Sequence, residues 1–290
     1  MADRANTPTG VLDLVNNTLE LPTMPEVLVK LNKVMADPDS SSEDVAKVIS
    51  SDPAIATNVL RLVNSAYFGL QVRVTAVSAA ISIMGFRMTK KVALKAAVFS
   101  VFGHHREPSP HFDPEAFWRH SIFAGVAARA IGKQSPEFTS VDAEDLYICG
   151  LLHDIGKLIM VENVPDKYLG VLSQAAAQLR SDLEIEEEML GFTHADVGSV
   201  LAIKWFLPED LTIAIRYHHA PSKDPFHQSL SSLIHLADHL AWSAGNPSTQ
   251  GTVPPRLDVE VYEQVGMDAQ DVEDLLPQIR EDFQATQMPW

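Results

Sequence analysis

SVDAEDLYICGLLHDIGKLIMV, residues 140–161, is the stretch on which the reading of this chain turns. It lacks the strict apolar–polar alternation of a half-buried strand and reads as one helix. The flanking sequence reads the same way. Upstream, Asp113-Pro114 places a capping side chain before a proline at the first helical position, opening a helix that ends near Gly132. Downstream, residues 166–180 form a helix. An acidic run (Asp182, Glu184, Glu186, Glu187, Glu188) then leads to a stop at Gly191. Thr193 and Asp196 have capping-box spacing and open a helix to about Phe206. Pro208 opens the helix that His218 and His219 close, and Asp224-Pro225 opens the one carrying His235, Asp238 and His239. Toward the N-terminus, Thr23 with Glu26 and Ser40 with Glu43 are further capping boxes, and Asp52-Pro53 is another cap with proline. Residues 75–84 and 87–102 are helices broken at Gly85. With no strand alternation and no fixed-period repeat, the fold class is all-α.

The segment GHHREPSPHFDP, residues 103–114, breaks the helical pattern. It divides the chain into an N-terminal helical subdomain (1–105), a helical bundle (106–250) and an acidic helical tail (251–290). Of 290 residues, 46% are hydrophobic and 21% charged, a globular rather than a disordered composition. Lys and Arg number 22 against 38 Asp and Glu, a net charge of −16. That balance argues against bulk attraction to nucleic acid or lipid, both polyanions. Cys149 is the single cysteine, so an intramolecular disulfide is excluded and a reducing compartment fits. The N-terminal MADRANTPTG has no apolar signal region, and no apolar run reaches the length of about 20 residues that a membrane helix needs. A cytoplasmic location is the expectation.

His153 and Asp154 sit inside an apolar run, where polar groups need partners. Lys157 lies one helical turn beyond His153 and offers a cation for a phosphate or a water, and Gly156 admits a close neighbour. His120, His194, the pair His218-His219 and Asp238 lie on separate helices. Imidazole and carboxylate ligands together suit Fe, Mn, Zn or Co, and bundles build metal sites from facing helices. Each position taken alone reads more readily as a satisfied core or surface residue than as a ligand. His104, His105, His111 and His227 read as loop residues, Cys149 as a small buried residue, and the acidic run 182–188 as a solvated face.

Taken in order, His120, His153-Asp154, His194, His218-His219 and Asp238 resemble the HD superfamily of metal-dependent phosphohydrolases. The match is closer to its HDOD branch of bacterial signalling proteins. The segments that carry it are LPTMPEVLVKLNKVM, SDPAIATNVLRLVNSAYFG, AISIMGFR, FWRHS, GLLHDIGKL, HADVGSVLAIKWFLPEDLTIAIRYHH and HLADHLAWS, within about residues 20–245. The resemblance implies an N-terminal helical subdomain packed on an HD-like bundle, and a regulatory module acting through a signalling partner or a small nucleotide ligand. It also implies a mono- or dinuclear site of divalent transition metal on His120, His153, Asp154, His194, His218, His219 and Asp238. The alternative it carries is a phosphohydrolase acting on a nucleotide or phosphoester, with Asp154 and Lys157 catalytic. Many HDOD proteins have lost these ligands, whereas this chain fills every position. Cyclic di-GMP hydrolysis is disfavoured, because Ala220-Pro221-Ser222-Lys223-Asp224-Pro225 follows the paired histidines where the cyclic di-GMP hydrolases carry Gly-Tyr-Pro. Ala116 stands four residues before His120, where a carboxylate would have added a ligand.

One feature lies outside that set. Arg61, Arg73, Arg87, Lys90, Lys91, Lys95 and Arg106 fall in an interval without Asp or Glu, so +7 sits there and −23 elsewhere. The interval reads first as compensation for the acidic helices, and second as a patch for a phosphate or an acidic partner. Nucleic acid is disfavoured as a partner, no membrane is expected, and the oligomeric state stays open.

Overall fold

The computed structural model describes residues 15, 16, 18–65, 68–103 and 108–286. Every regular element among them is helical. The chain divides into two compact units: Thr23–His105 is one, and the rest of the described chain, 108–286 together with the residues before Thr23, is the other. His104, His105 and Arg106 lie outside the described residues.

The smaller unit holds α1 (Glu26–Met35), α2 (Ser42–Ser50), α3 (Pro53–Val63) and α4 (Val77–Phe102). Asp52 caps α3 through the amides of Ala54 and Ile55 at 2.9 and 3.1 Å, with Pro53 at the first position. Two expected caps differ. α1 starts from Pro25 with no side-chain cap, its proline ring presetting the backbone angle. The capping box of α2 is Ser41 with Asp44, one residue later than Ser40 with Glu43. Gly85 interrupts α4 at φ 75°, in the left-handed region.

The larger unit holds α5 (Pro114–Gln134), α6 (Ala143–Leu152), α7 (Ile155–Asn163), α8 (Pro165–Gln178), α9 (Asp182–Leu190), α10 (His194–Lys204), α11 (Glu209–Tyr217), α12 (Gln228–Ser243), α13 (Val261–Gln264) and α14 (Ala269–Ala285). Residues 251–286, set apart as a tail on sequence, group with this unit. Phe283 of α14 meets Phe123 of α5 edge-on at 5.2 Å, and Ser135 donates to the carbonyl of Val265 at 2.6 Å. Glycines let the central helices touch. A Cβ on Gly125 would stand 2.8 Å from the carbonyl of Tyr147, and one on Gly150 2.7 Å from that of Ala124. A Cβ on Gly156 would strike the carbonyl oxygen of His194. The small residue expected to admit a neighbour therefore admits α10.

Residues 140–161 are two helices rather than one, and the break falls on His153-Asp154. His153 Nδ1 lies 2.7 Å from the carbonyl of Gly150, the group that the amide of Asp154 would take in a continuous helix. The ring thus ends α6 and Asp154 starts α7. α12 begins at Gln228, later than Asp224-Pro225 suggests. The Asp224 carboxylate instead accepts from the amides of Phe226 and His227 and from Ser231. No helix among the described residues is long and apolar enough to cross a membrane.

Candidate metal centre

Five helical segments deliver the seven side chains singled out on sequence to one place. His120 comes from the middle of α5, His153 and Asp154 from the α6–α7 break, and His194 from the first position of α10. His218 and His219 end α11, and Asp238 lies on α12. Their side chains are 0–5% exposed. His120, His153 and Asp238 form one group, and Asp154, His194, His218 and His219 a second. Within each group the ligand atoms all lie within 4.8 Å of one another. Asp154 serves both groups. Its Oδ2 is 3.7 Å from His120 Nε2 and 3.6 Å from His153 Nε2, while its Oδ1 is 3.1 Å from His194 Nε2 and 3.6 Å from His218 Nε2.

The rings are held from behind. Nδ1 of His120, His153 and His218 lies 2.7 Å from the carbonyls of Asn246, Gly150 and Ile215. A carbonyl only accepts, so Nδ1 carries the proton and Nε2 presents a lone pair to the interior. His194 Nδ1 lies 2.7 Å from Glu186 Oε2, which also accepts the His194 amide at 2.8 Å. Inside the cluster, Nε2 of His120 faces Nε2 of His153 at 3.3 Å, and Nε2 of His194 faces Nε2 of His219 at 2.8 Å. Buried Asp154 Oδ1, His218 Nε2, His219 Nδ1 and Asp238 Oδ1 make no hydrogen bond. Buried polar atoms without partners are costly, and lone pairs converging without donors are what a cation site looks like. The donor set of imidazoles and carboxylates fits a transition metal.

Lys157 is placed differently from the sequence expectation. It is 2% exposed, and its ammonium lies 2.9 Å from each of Asp154 Oδ2, Asp182 Oδ2 and Ser248 Oγ. All three donors are engaged within the protein. The acidic run, expected as a solvated face, is split. Glu184 and Glu188 pair with Arg180 at the surface, while Asp182 and Glu186 are fully buried behind the centre. Glu186 also accepts from Tyr168 at 3.0 Å. Sequence reasoning missed this pair, although its i, i+4 spacing puts it on the face of Ile185. It also missed His235, whose Nδ1 lies 2.6 Å from the carbonyl of His218 and fastens that residue.

Electrostatics divide the centre. Burial favours a neutral Asp154, but Lys157, His153 and His194 outweigh it and hold the carboxyl well below its ordinary range. Burial likewise opposes charge on Asp238, and His120 and His153 hold it low. His194 is raised to about 10 because Glu186 and Asp154 overcome its burial. His218 falls to about 4, through burial and the neighbouring His153 and His194, and His219 falls well below its usual value for similar reasons.

The HDOD domain family model matches residues 21–221. The chain belongs to the HDOD domain family. The match takes in every HDOD candidate ligand except Asp238, which lies beyond its end. A solved HDOD domain protein of unknown function from Geobacter sulfurreducens superposes with a TM-score of 0.74 at 20% identity, covering 95% of this chain and 96% of that one. A candidate signal transduction protein from Marinobacter aquaeolei gives 0.72 at 23%, covering 94% and 62%. A candidate phosphohydrolase from Shewanella amazonensis gives 0.68 at 23%, covering 95% and 97%. These likenesses establish the all-α HDOD fold. An uncharacterized protein of Treponema pallidum is 28% identical over 200 residues, which are 69% of this chain and 38% of that protein. The chain therefore spans well under half the length of that curated relative.

Proposed function

We propose that this HDOD protein is a signalling or regulatory module that works through a protein partner or a small nucleotide ligand, built around a dinuclear centre of divalent transition metal. The observation that carries the reading is the convergence of seven ligand-type side chains in two groups sharing Asp154, sealed at 0–5% exposure. His120, His153 and Asp238 would hold one ion and His194, His218 and His219 the other, with Asp154 offering one oxygen to each. Sealing favours a regulatory centre over an open catalytic one, since hydrolysis needs a path for substrate. The commitment of Lys157 to two carboxylates and a hydroxyl points the same way.

Metal analysis of protein purified without chelator tests the reading. About two equivalents of Fe, Mn, Zn or Co are expected, and less than about 0.1 equivalent would remove the metal from the account. A pull-down with metal-loaded protein, repeated with Asp154→Asn, then reads the partner. Capture that is indifferent to that change separates signalling from the centre.

The position of Asp154 between the groups supports a second reading, a phosphohydrolase for a nucleotide or phosphoester. A metal pair in such a site supplies a water of lowered pKa and positive charge for phosphoryl oxygens. In that reading Asp154 orients the reacting groups, the burial of the site excludes bulk water, and Lys157 must leave Asp182 or Ser248 to meet a substrate. Turnover of any member of a phosphoester panel by loaded wild type, lost in Asp154→Asn, would establish it. No turnover across the panel leaves the regulatory reading. Cyclic di-GMP is expected to survive in either case.

A further inference from the structure

We infer that residues 246–250 are a strap belonging to the metal centre, and that Ser248 and Thr249 are positioning residues that govern how readily an ion leaves it. The inference rests on the metal reading above and concerns how that site is regulated.

The strap follows the end of α12 and lies between two glycines in the left-handed region, Gly245 at φ 85° and Gly251 at φ 81°. Those glycines give the chain its two sharp changes of direction. Three of the five residues between them are tied to the centre or its supports, and a fourth is tied to the loop at His111. The carbonyl of Asn246 takes His120 Nδ1 at 2.7 Å. Ser248 Oγ accepts from Lys157 at 2.9 Å. Thr249 Oγ1 donates to Asp182 Oδ2 at 3.3 Å, and the amide of Gln250 donates to the carbonyl of His111 at 3.1 Å. Loops ordinarily run over the surface, yet Ser248 and Thr249 are 0% exposed.

The strap reaches ligands in both groups. His120 takes its ring orientation from the Asn246 carbonyl. Asp154 takes its orientation from Lys157, whose ammonium is a tripod on Asp154, Asp182 and Ser248. Withdrawing Ser248 leaves that ammonium two acceptors and lets it tilt, and Asp154 Oδ2 loses its fixed place. Withdrawing Thr249 frees Asp182, the second leg of the tripod. Outer hydrogen bonds of this kind commonly change metal affinity by about 10–100-fold.

The test uses the full chain loaded with Co(II), whose visible spectrum reports ligand geometry. Ser248→Ala and Thr249→Val together remove both hydroxyls with little change of shape, and Thr249→Ser restores one. The double variant is expected to lose metal to excess chelator at least about tenfold faster than wild type, with an altered spectrum and the same stoichiometry at saturating metal. Thr249→Ser alone should stay near wild type, and Thr249→Val alone should not. That single-site pair decides the matter if the double variant fails to fold. Equal release rates and spectra in wild type and variants would overturn the strap while leaving the centre intact. A wild-type chain that takes up no metal would bring down the centre itself.

Discussion

At the residue scale, Lys157 is the side chain whose removal is most informative. It pairs with both Asp154 and Asp182 at 2.9 Å each and is 2% exposed. Deleting one member of a buried ionic cluster costs about 3–5 kcal/mol, because the remaining charges stay buried. Lys157→Met should lower the unfolding free energy of the metal-free protein by about that amount in urea denaturation, and a loss under about 1 kcal/mol would show that the carboxylates find other compensation. The histidines make a second prediction. His194, raised to about 10, contributes stability that is complete below its unfolded value of about 6.5 and is lost as pH rises through about 10. His218, lowered to about 4, stays neutral while the unfolded chain protonates, so stability is lost as pH falls from about 6.5 toward 4. Metal-free protein should therefore be most stable near pH 6.5, measured as the urea midpoint from pH 5 to 9 in chelator. His194→Gln should flatten the alkaline side alone, and an alkaline loss of equal size in that variant would refute the assignment. The seven candidate ligands were legible in sequence because their order along the chain resembles a family. Their supports were not: Asp182 and Glu186 sit in a run of five acids, and only the helical phase separates them from Glu184 and Glu188.

At the scale of elements, the helical class was readable because capping residues and apolar spacing agree at Asp52-Pro53, Asp113-Pro114 and Thr193 with Asp196. The break at His153-Asp154 was not readable. Nothing in the apolar pattern of residues 140–161 signals a stop, and the ring-to-carbonyl bond found at the break is a local one made by a side chain of the centre. His218 repeats the device at the end of α11 with the carbonyl of Ile215. Two glycines separate packing from propensity. Gly156→Ala puts a methyl group against the carbonyl of His194 and should push α10 from α7, at about 1–3 kcal/mol of stability and with reduced metal content. Gly170→Ala, on α8 with nothing within 4 Å of the added Cβ, should instead stabilise by about 0.5–1 kcal/mol. Thermal denaturation with parallel metal analysis reads both. Equal effects from the two would mean that close contact at Gly156 does not set the geometry of the centre.

At the scale of the whole molecule, the charge of −16 acquires a location. Asp154, Asp182, Glu186 and Asp238 are buried in one cluster with the Lys157 ammonium and the raised His194, so four carboxylates outnumber the cations beside them inside the larger unit. In the interval rich in cations, Arg61, Arg73, Arg87 and Lys90 are exposed and Lys91 is buried, all in the smaller unit. Composition could report the total but not this division, because burial depends on which helices meet. Metal held by these residues would therefore act on one unit. Two divalent ions would compensate the buried carboxylates and stabilise only the unit that contributes ligands. At free metal about 100-fold above the dissociation constant, linkage adds about 2.7 kcal/mol for each ion bound, or about 100-fold slower exchange per ion for amides that open only when the bundle unfolds. Hydrogen exchange read by mass spectrometry, with metal and with chelator, should show that slowing in α5–α7 and α10–α12 and no change in α1–α4. Equal slowing in α1–α4 would mean that the ions bind elsewhere or that the two units unfold as one.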